Sequence, residues 1–252
     1  MATADRTVVV TGIGSGIGRA TALRLAADGA TVYGLDVKGA KETAEDPAAA
    51  GRIVGVELDA TEAPAWKSLV DDVLAERGRI DSLVLVHGVT ARRLDTVTDQ
   101  TEEEWDFVLD VNLKGCWLGM RAVLPSMLAN GGGSIVATTS GAAIGGINGL
   151  AAYASSKGGL ISLIRQAAVD YAPAGVRING VAPGIIDTPM LAAVPPEFAA
   201  AVVRQTPLGR LGTPADVAGV IAFLLSEDAA FLTGKIIEVD GGLVSQAVCA
   251  AL

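Results

Sequence analysis

The sequence predicts an α/β fold in which a single doubly wound parallel sheet of about seven strands is covered by helices on both faces. Two observations support this prediction: short β-branched runs alternate with longer helical segments, and the runs are continuously apolar. Continuously apolar strands are buried on both faces, which is typical of parallel sheets between helical layers. No linker, repeat or low-complexity tract divides the 252 residues, half of which are apolar. Residues 1–252 are therefore expected to form one domain around one large core.

The predicted strands follow one another in a regular series. In chain order they are Arg6–Gly12, Ala30–Asp36, Arg52–Asp59, Asp81–Gly88, Gly133–Ser140, Val176–Gly184 and Lys235–Gly242. Helical segments connect them, and right-handed crossovers join the strands into the doubly wound sheet. The first connection is predicted as an Ala/Leu-rich helix over Gly16–Gly29, and the second as a polar helix near Lys38–Ala50.

Two later helices, Glu103–Asn130 and Ala151–Tyr171, are apolar nearly all round. A helix on the outside of a covered sheet can bury a second apolar face only against another chain. We therefore expect a homo-oligomer. The alternative, that the alanines of these helices simply tolerate exposure, stays open.

The longest stretch without a sheet element covers residues 185–212 and contains several prolines. These prolines predict a long excursion over the surface. Excursions of this length are often lids over a binding site, so we expect a substrate lid here.

The composition excludes several classes of function. A net charge of −9, with no basic cluster longer than Arg92-Arg93, argues against nucleic acid and anionic membranes as partners. Cys116 and Cys249 are far apart without a CxxC spacing, and His87 is the only histidine, so we expect neither a disulfide framework nor a metal site. The first residues show no signal-peptide pattern, and no apolar run is long enough to span a bilayer. We expect a cytoplasmic protein.

A glycine-rich loop, "TGIGSGIG" over Thr11–Gly18, lies between the first predicted strand and the first predicted helix. Its glycines follow the spacing Gly12-xxx-Gly16-x-Gly18 rather than GxGxxG. Such a loop lets a pyrophosphate approach the backbone and bind at the helix N-terminus. The loop therefore predicts a dinucleotide site. That site comprises Gly12, Ser15, Gly16, Ile17 and Gly18.

Two aspartates end the strands that follow. Asp36, at the end of the second strand, is placed to accept hydrogen bonds from the adenosine ribose hydroxyls and to repel a 2′-phosphate. With Lys38 as the only nearby cation, this predicts NAD rather than NADP, although an ordinary strand-ending Asp remains an alternative. Asp59, at the end of the third strand, is a candidate acceptor for the adenine amino group, and a helix N-cap or turn is the alternative.

Three functional side chains stand out in the stretch from Thr138 to Lys157, which consists mostly of small residues. Tyr153 and Lys157 are four residues apart on a predicted helix and share one face. A nearby ammonium favours the ionised form of a phenol, which suits Tyr153 to acid–base catalysis. Ser140, at the carboxyl end of a predicted central strand, lies where open α/β sheets bind ligands and can polarise the reacting oxygen.

Together these motifs resemble the short-chain dehydrogenase/reductase family over essentially the whole chain. The matching residues are "TGIGSGIG", Asp36, Asp59, "VNLKG" around Asn112, Ser140, "YASSK" from Tyr153 to Lys157, "INGVAPG" and Thr188. The resemblance implies a Rossmann-like fold and a homotetramer. It also implies that Tyr153 and Lys157 contact the cofactor, that Lys157 holds the nicotinamide ribose, and that Asn112 supports a water-linked proton relay. The residues implied to position the nicotinamide carboxamide are Pro183, Gly184, Ile186 and Thr188.

One segment departs from the family pattern. The family usually has Asn-Asn-Ala-Gly after the fourth strand, whereas this chain has Leu85-Val86-His87-Gly88. Gly88 is retained, so the backbone can still pass beside the cofactor ribose. His87 is expected to be a packed residue in place of alanine, and contact with cofactor or substrate is the alternative.

The predicted reaction is NAD-dependent interconversion of a secondary alcohol and its ketone. The uncharged sequence around Ser140 and the Ala-, Val- and Pro-rich lid indicate a neutral, rather apolar small-molecule substrate. One alternative is a 3-oxoacyl-carrier-protein reductase, which Asp36 and the absence of basic residues over Pro125–Ser134 oppose. The other is a catalytically silent NAD sensor, which an intact Ser140, Tyr153 and Lys157 set opposes.

Overall fold

The computed structural model describes residues 5–91, 93–191 and 196–245, and a parallel sheet of seven strands runs through them. The strands are β1 Thr7–Thr11, β2 Thr31–Asp36, β3 Ile53–Glu57, β4 Ser82–Leu85, β5 Gly133–Thr138, β6 Val176–Pro183 and β7 Ile236–Val239. Their order across the sheet is β3-β2-β1-β4-β5-β6-β7, and every neighbouring pair is parallel. The predicted fold class and the series of strands are confirmed.

The helices that connect these strands lie on both faces of the sheet. They are α1 Gly16–Ala27, α2 Ala40–Ala44, α3 Ala63–Arg77, α4 Glu102–Leu109, α5 Gly115–Ala129, α6 Ala151–Tyr171, α7 Pro196–Gln205 and α8 Pro214–Leu225. Residues Asp110–Lys114, between α4 and α5, form a π-helical turn. Within the described residues, no helix is both long enough and apolar enough to cross a membrane.

Two apolar cores cover the two faces of the sheet. Helices α3, α5 and α6 contribute to one core, while α1 and α8 contribute to the other. Successive residues of the central strands alternate between them: Val9 packs in the first core, and Val8 and Val10 pack in the second. The alternation is what a pleated strand requires when both of its faces are buried.

Three details differ from the sequence prediction. The polar helix expected near Lys38–Ala50 is only the short α2, because the Asp46 side chain accepts from Ala48 N and opens a separate 3₁₀ turn at Pro47. The long helix expected over Glu103–Asn130 is interrupted by the π-helical turn. The edge strands β3 and β7 are partly exposed rather than buried on both faces, because each has one neighbour in the sheet.

The sheet order places a switch point between β1 and β4. From β1 the chain proceeds outward to β2 and β3, and from β4 it proceeds the other way to β5, β6 and β7. Ligands of open α/β sheets bind in the crevice outside the carboxyl ends of the strands at such a point. The loops after β1, β4, β5 and β6 therefore frame the candidate site.

Candidate active site

The glycine-rich loop after β1 has the shape of a phosphate cradle. Gly16 has φ +52°, and a Cβ on Gly18 would lie 1.9 Å from the carbonyl oxygen of Gly12, so only glycine fits there. Ser15 is the N-cap of α1 but its side chain makes no capping hydrogen bond, and Ile17 packs against the core. The first N–H groups of α1 are thus left for an anion, which fits the pyrophosphate of a dinucleotide.

Asp36 ends β2 directly beside this loop. Its Oδ2 accepts a hydrogen bond from Gly14 N at 2.9 Å, and its Oδ1 accepts from Lys38 N at 3.2 Å. The carboxylate therefore holds the glycine loop in place. Each carboxylate oxygen has a second lone pair, so the group can still accept from ribose hydroxyls.

Asp59, beyond the end of β3, is exposed. Its Oδ1 accepts from Thr61 N at 2.9 Å and from Thr61 Oγ1 at 2.8 Å. These bonds form the local turn that the sequence left as an alternative. The role of Asp59 toward adenine stays a prediction.

Tyr153 and Lys157 lie on α6, one turn apart. Lys157 is buried at 3% exposure, and its Nζ lies 6.0 Å from the centroid of the Tyr153 ring. The Nζ also donates to the carbonyl oxygen of Thr138 at 2.8 Å. A buried ammonium is therefore fixed close to the phenol ring by the last residue of β5.

Ser140 follows β5 by two residues and opens a short 3₁₀ turn. Its Oγ accepts from Ala142 N at 3.2 Å, so its hydroxyl proton remains to be donated. Thr138, which binds Lys157, lies two residues earlier in the chain. The structure thus brings Ser140, Tyr153 and Lys157 to the carboxyl end of β5.

Asn112 lies in the π-helical turn and is fully buried. Its Oδ1 accepts from Val89 N at 2.8 Å, and its Nδ2 donates to Val89 O at 2.9 Å and to Ser156 Oγ at 3.0 Å. The side chain therefore ties the loop after β4 to α6. Its part in a proton relay stays a prediction.

Gly88 stands beside both Asn112 and Lys157. A Cβ placed on Gly88 would lie 3.1 Å from Asn112 Oδ1 and 3.2 Å from Lys157 Nζ. The backbone of the loop after β4 therefore passes directly against the two polar side chains.

His87 is packed, but it is not a passive substitute for alanine. Its Nδ1 lies 2.7 Å from Thr11 Oγ1, and its Nε2 lies 3.7 Å from Cys116 Sγ. Burial, reinforced by the charge of Lys157, lowers the pKa of His87 to about 4. The ring is therefore neutral at physiological pH, and burial likewise raises the pKa of the Cys116 thiol to about 11.

The loop after β6 approaches the glycine loop from the other side. Pro183 ends β6, and a Cβ on Gly184 would lie 2.8 Å from Asp240 Cα. Ile186 is buried and pairs with Gly212. Thr188 is the residue that reaches the glycine loop, because its Cγ2 would lie 3.1 Å from a Cβ on Gly16.

Some predicted features fall outside the described residues or have no counterpart there. Arg92 and Cys249 lie outside them, as do residues 192–195 of the expected lid. The rest of the lid stretch contains α7. Among the described residues, no group of three or more His, Cys, Asp or Glu side chains is arranged to hold a metal ion.

A family model described as "Enoyl-(Acyl carrier protein) reductase" matches residues 12–244 of the chain. The chain belongs to the short-chain dehydrogenase/reductase family. Dehydrogenases of this family use nicotinamide cofactors, and the glycine loop and Asp36 fit such a group.

Relatives in the family resemble the chain over almost its whole length. The (3R)-3-hydroxyacyl-CoA dehydrogenase of Mus musculus is 41% identical over 247 residues, which cover 93% of this chain and 95% of that protein. Cyclopentanol dehydrogenase of Comamonas sp. is 38% identical over 243 residues, which cover 94% of this chain and 96% of that protein. The crystal structure of levodione reductase superposes with a TM-score of 0.93 at 34% identity and covers 98% of this chain and 100% of that one. The protein is an oxidoreductase of this family.

The structure shows two further residues at the candidate site that were not predicted from the sequence. Ser156 accepts from Asn112 and donates to the carbonyl oxygen of Tyr153 at 2.7 Å, so it joins the π-helical turn to α6. Thr11 joins the glycine loop to His87. Both stand inside motifs already singled out, next to Lys157 and Gly12, and that position was the only sequence signal.

Proposed function

We propose that the protein is an NAD(H)-dependent oxidoreductase that interconverts a secondary alcohol and its ketone by Ser-Tyr-Lys catalysis. One observation carries the proposal: the buried ammonium of Lys157 is held beside Tyr153, at the sheet edge where the glycine loop opens. Similarity to cyclopentanol dehydrogenase and levodione reductase supports the reaction type.

The roles follow from the groups that these side chains present. A bound nicotinamide would supply the hydride acceptor for the alcohol and the hydride donor for the ketone. Tyr153 takes up the hydroxyl proton of the alcohol, or returns it to the ketone oxygen, and the ammonium of Lys157 lies beside its ring. Ser140 donates a hydrogen bond to the same substrate oxygen.

The dinucleotide would be held by the loops around the switch point. The glycine loop would bind the pyrophosphate, Asp36 the adenosine ribose, and Asp59 the adenine. Lys157 would bind the nicotinamide ribose, which would lie beside the backbone at Gly88. The carboxamide would contact the loop after β6, at Pro183, Gly184, Ile186 and Thr188.

Asp36→Asn is expected to reduce the preference for NAD over NADP by about tenfold or more, because it removes the charge that repels a 2′-phosphate. Asparagine keeps an oxygen that can accept from Gly14 N, so the glycine loop should remain in place. The measurement is the ratio of kcat/KM for the two cofactors. Asp59→Asn removes a charge elsewhere in the site and should leave the ratio unchanged; an unchanged ratio in Asp36→Asn would contradict the role of Asp36.

The surroundings of the site favour a neutral, rather apolar substrate. Exposed apolar side chains lie on three loops that leave the carboxyl edge of the sheet: Leu94, Ile144, Ile147 and Met190. Residues 141–152, between Ser140 and Tyr153, contain no charged residue. A specific observation also favours an acyl-thioester substrate, namely the similarity to (3R)-3-hydroxyacyl-CoA dehydrogenase.

Initial rates with two sets of substrates test the proposal. One set contains cyclic and aryl-alkyl secondary alcohols, and the other contains 3-hydroxyacyl-CoA thioesters, each assayed with NAD and with NADP. We expect turnover of the neutral alcohols with NAD. Faster turnover of the thioesters would favour the second substrate class. Tight NADH binding without turnover in either direction would favour a catalytically silent NAD sensor over an enzyme.

We also propose a cytoplasmic homotetramer. The outer side of α5 supports the oligomer, since Trp117 remains 43% exposed there in a single chain. The acidic net charge and the unpaired, buried thiol of Cys116 support a reducing compartment.

A further inference from the structure

The His87 ring forms a junction between the two loops at the switch point of the sheet. Its Nδ1 contacts Thr11 Oγ1 at 2.7 Å, and Thr11 immediately precedes Gly12 of the glycine loop. On its other side the ring faces the backbone of Val111, next to Asn112, and its Nε2 lies 3.7 Å from Cys116 Sγ. One side chain therefore connects the start of the glycine loop with the helix that carries Asn112.

The hydrogen bonds of Thr11 determine which nitrogen of His87 carries the proton. Thr11 Oγ1 accepts from Val86 N at 3.0 Å and from His87 N at 3.3 Å, which uses both lone pairs of the hydroxyl. Its own proton must then be donated. His87 Nδ1 at 2.7 Å is a closer acceptor than the Val84 carbonyl at 3.4 Å. Thr11 therefore donates to Nδ1, and the neutral ring carries its proton on Nε2.

We propose that His87 is a positioning residue for the dinucleotide, which it serves by holding Thr11 and the start of the glycine loop against the loop that carries Gly88. The two loops are in direct contact, since a Cβ on Gly12 would lie 2.9 Å from His87 N. A shift of one loop therefore displaces the other. This inference rests on the proposed dinucleotide-dependent function, and it assigns His87 to cofactor binding rather than to the chemical step.

Two substitutions test the two nitrogens of the ring separately. Asparagine places its Oδ1 where His87 has Nδ1, so His87→Asn retains an acceptor for the Thr11 hydroxyl and loses the Nε2 contacts. Glutamine places its Nε2 near the Nε2 of His87, so His87→Gln retains the donor toward Val111 and loses the acceptor for Thr11. If the Thr11 bond positions the glycine loop, only the asparagine variant should behave like the wild type.

The test is NADH affinity, measured by fluorescence titration of the untagged full chain. We expect His87→Ala and His87→Gln each to raise the Kd for NADH by about tenfold, as for one lost hydrogen bond. Thr11→Val should raise it at least as much, because it also removes the acceptor for Val86 N and His87 N. His87→Asn should stay within about twofold. The double variant Thr11→Val/His87→Ala should bind no more weakly than Thr11→Val alone, because Thr11→Val already removes the bond to His87. Ser134→Ala, which removes a buried hydroxyl bonded to Leu224 O at the far end of β5, is the control and should bind NADH normally.

The outcomes distinguish this inference from the function on which it rests. A wild-type protein that binds neither NADH nor NADPH would overturn both. A wild-type protein that binds NADH, together with an unchanged Kd in His87→Ala, would overturn the inference alone, even if that variant melts at a lower temperature. An asparagine variant as weak as the alanine variant, or additive losses in the double variant, would also overturn it.

Discussion

Tyr153→Phe is expected to lower kcat by about 10³-fold or more while the affinity for NADH stays nearly unchanged. The substitution removes only the hydroxyl that exchanges a proton with the substrate oxygen. The ring still packs in the small cluster with Ala91, Val108 and Ala152. Lys157 keeps its bond to the Thr138 carbonyl, so the cofactor site should remain formed.

Single-turnover rates and NADH titration would be measured on the same preparations. Tyr171→Phe provides a matched control, because it makes the same change at the other end of α6. Tyr171 packs against the core to which α3, α5 and α6 contribute. That variant should retain full activity. A Tyr153→Phe variant that lost NADH affinity in proportion to its rate would show that Tyr153 binds the cofactor in the ground state and does not act as the acid–base. A variant that retained its rate would show that the proton is exchanged elsewhere.

The strands and helix α6 could be predicted because their signals are local. Continuous β-branched runs give strands in a parallel sheet, and α6 occupies the predicted range, Ala151–Tyr171. The spacing of Tyr153 and Lys157 on that helix follows from the helical repeat alone. Asp36 and Ser140 could be selected as candidates because each stands at or just after the end of such a strand, where the fold class itself places ligands.

The π-helical turn could not be predicted in the same way. Sequence periodicity averages over several turns and does not reveal a single widened one. The turn at Asp110–Lys114 places the Asn112 side chain where it bonds with Val89 and Ser156, which lie far from it in the chain. Only the folded arrangement of the loop after β4 and α6 supplies those partners.

The contact between His87 and Thr11 was missed for a related reason. The two residues are 76 positions apart, and they meet because β1 and β4 are neighbours at the switch point. The sequence showed that Leu85 and Val86 stand where the family usually has two asparagines. It could not show that a threonine and a histidine form hydrogen bonds at the same place.

The stability of the protein is expected to fall as the pH drops from about 6.5 to about 4, because of His87. Burial and then the charge of Lys157 lower its pKa from 6.5 to about 4, against the opposing effects of the Val111 backbone and Asp59. Cys116, the other titratable group against the ring, stays neutral because burial raises its pKa to about 11. Between the folded and unfolded pKa values, the unfolded chain binds a proton that the folded chain does not, so the free energy of unfolding rises with pH. The stabilisation is fully present above about pH 6.5, and its loss at about pH 4 amounts to at most about 3 kcal/mol.

Urea unfolding between about pH 4.5 and 8 would measure this loss, with His87→Asn as the non-titrating control. His87 is the only histidine, so the difference between the two curves and a single imidazole NMR signal both report on this ring. Parallel curves, or an imidazole that titrates near pH 6.5, would contradict the prediction. A proton on Nδ1 would turn this nitrogen from an acceptor into a donor. The Thr11 hydroxyl, which donates to Nδ1, would then lose its acceptor. NADH affinity should therefore fall with stability as His87 is protonated, and it should not fall in this way in His87→Asn.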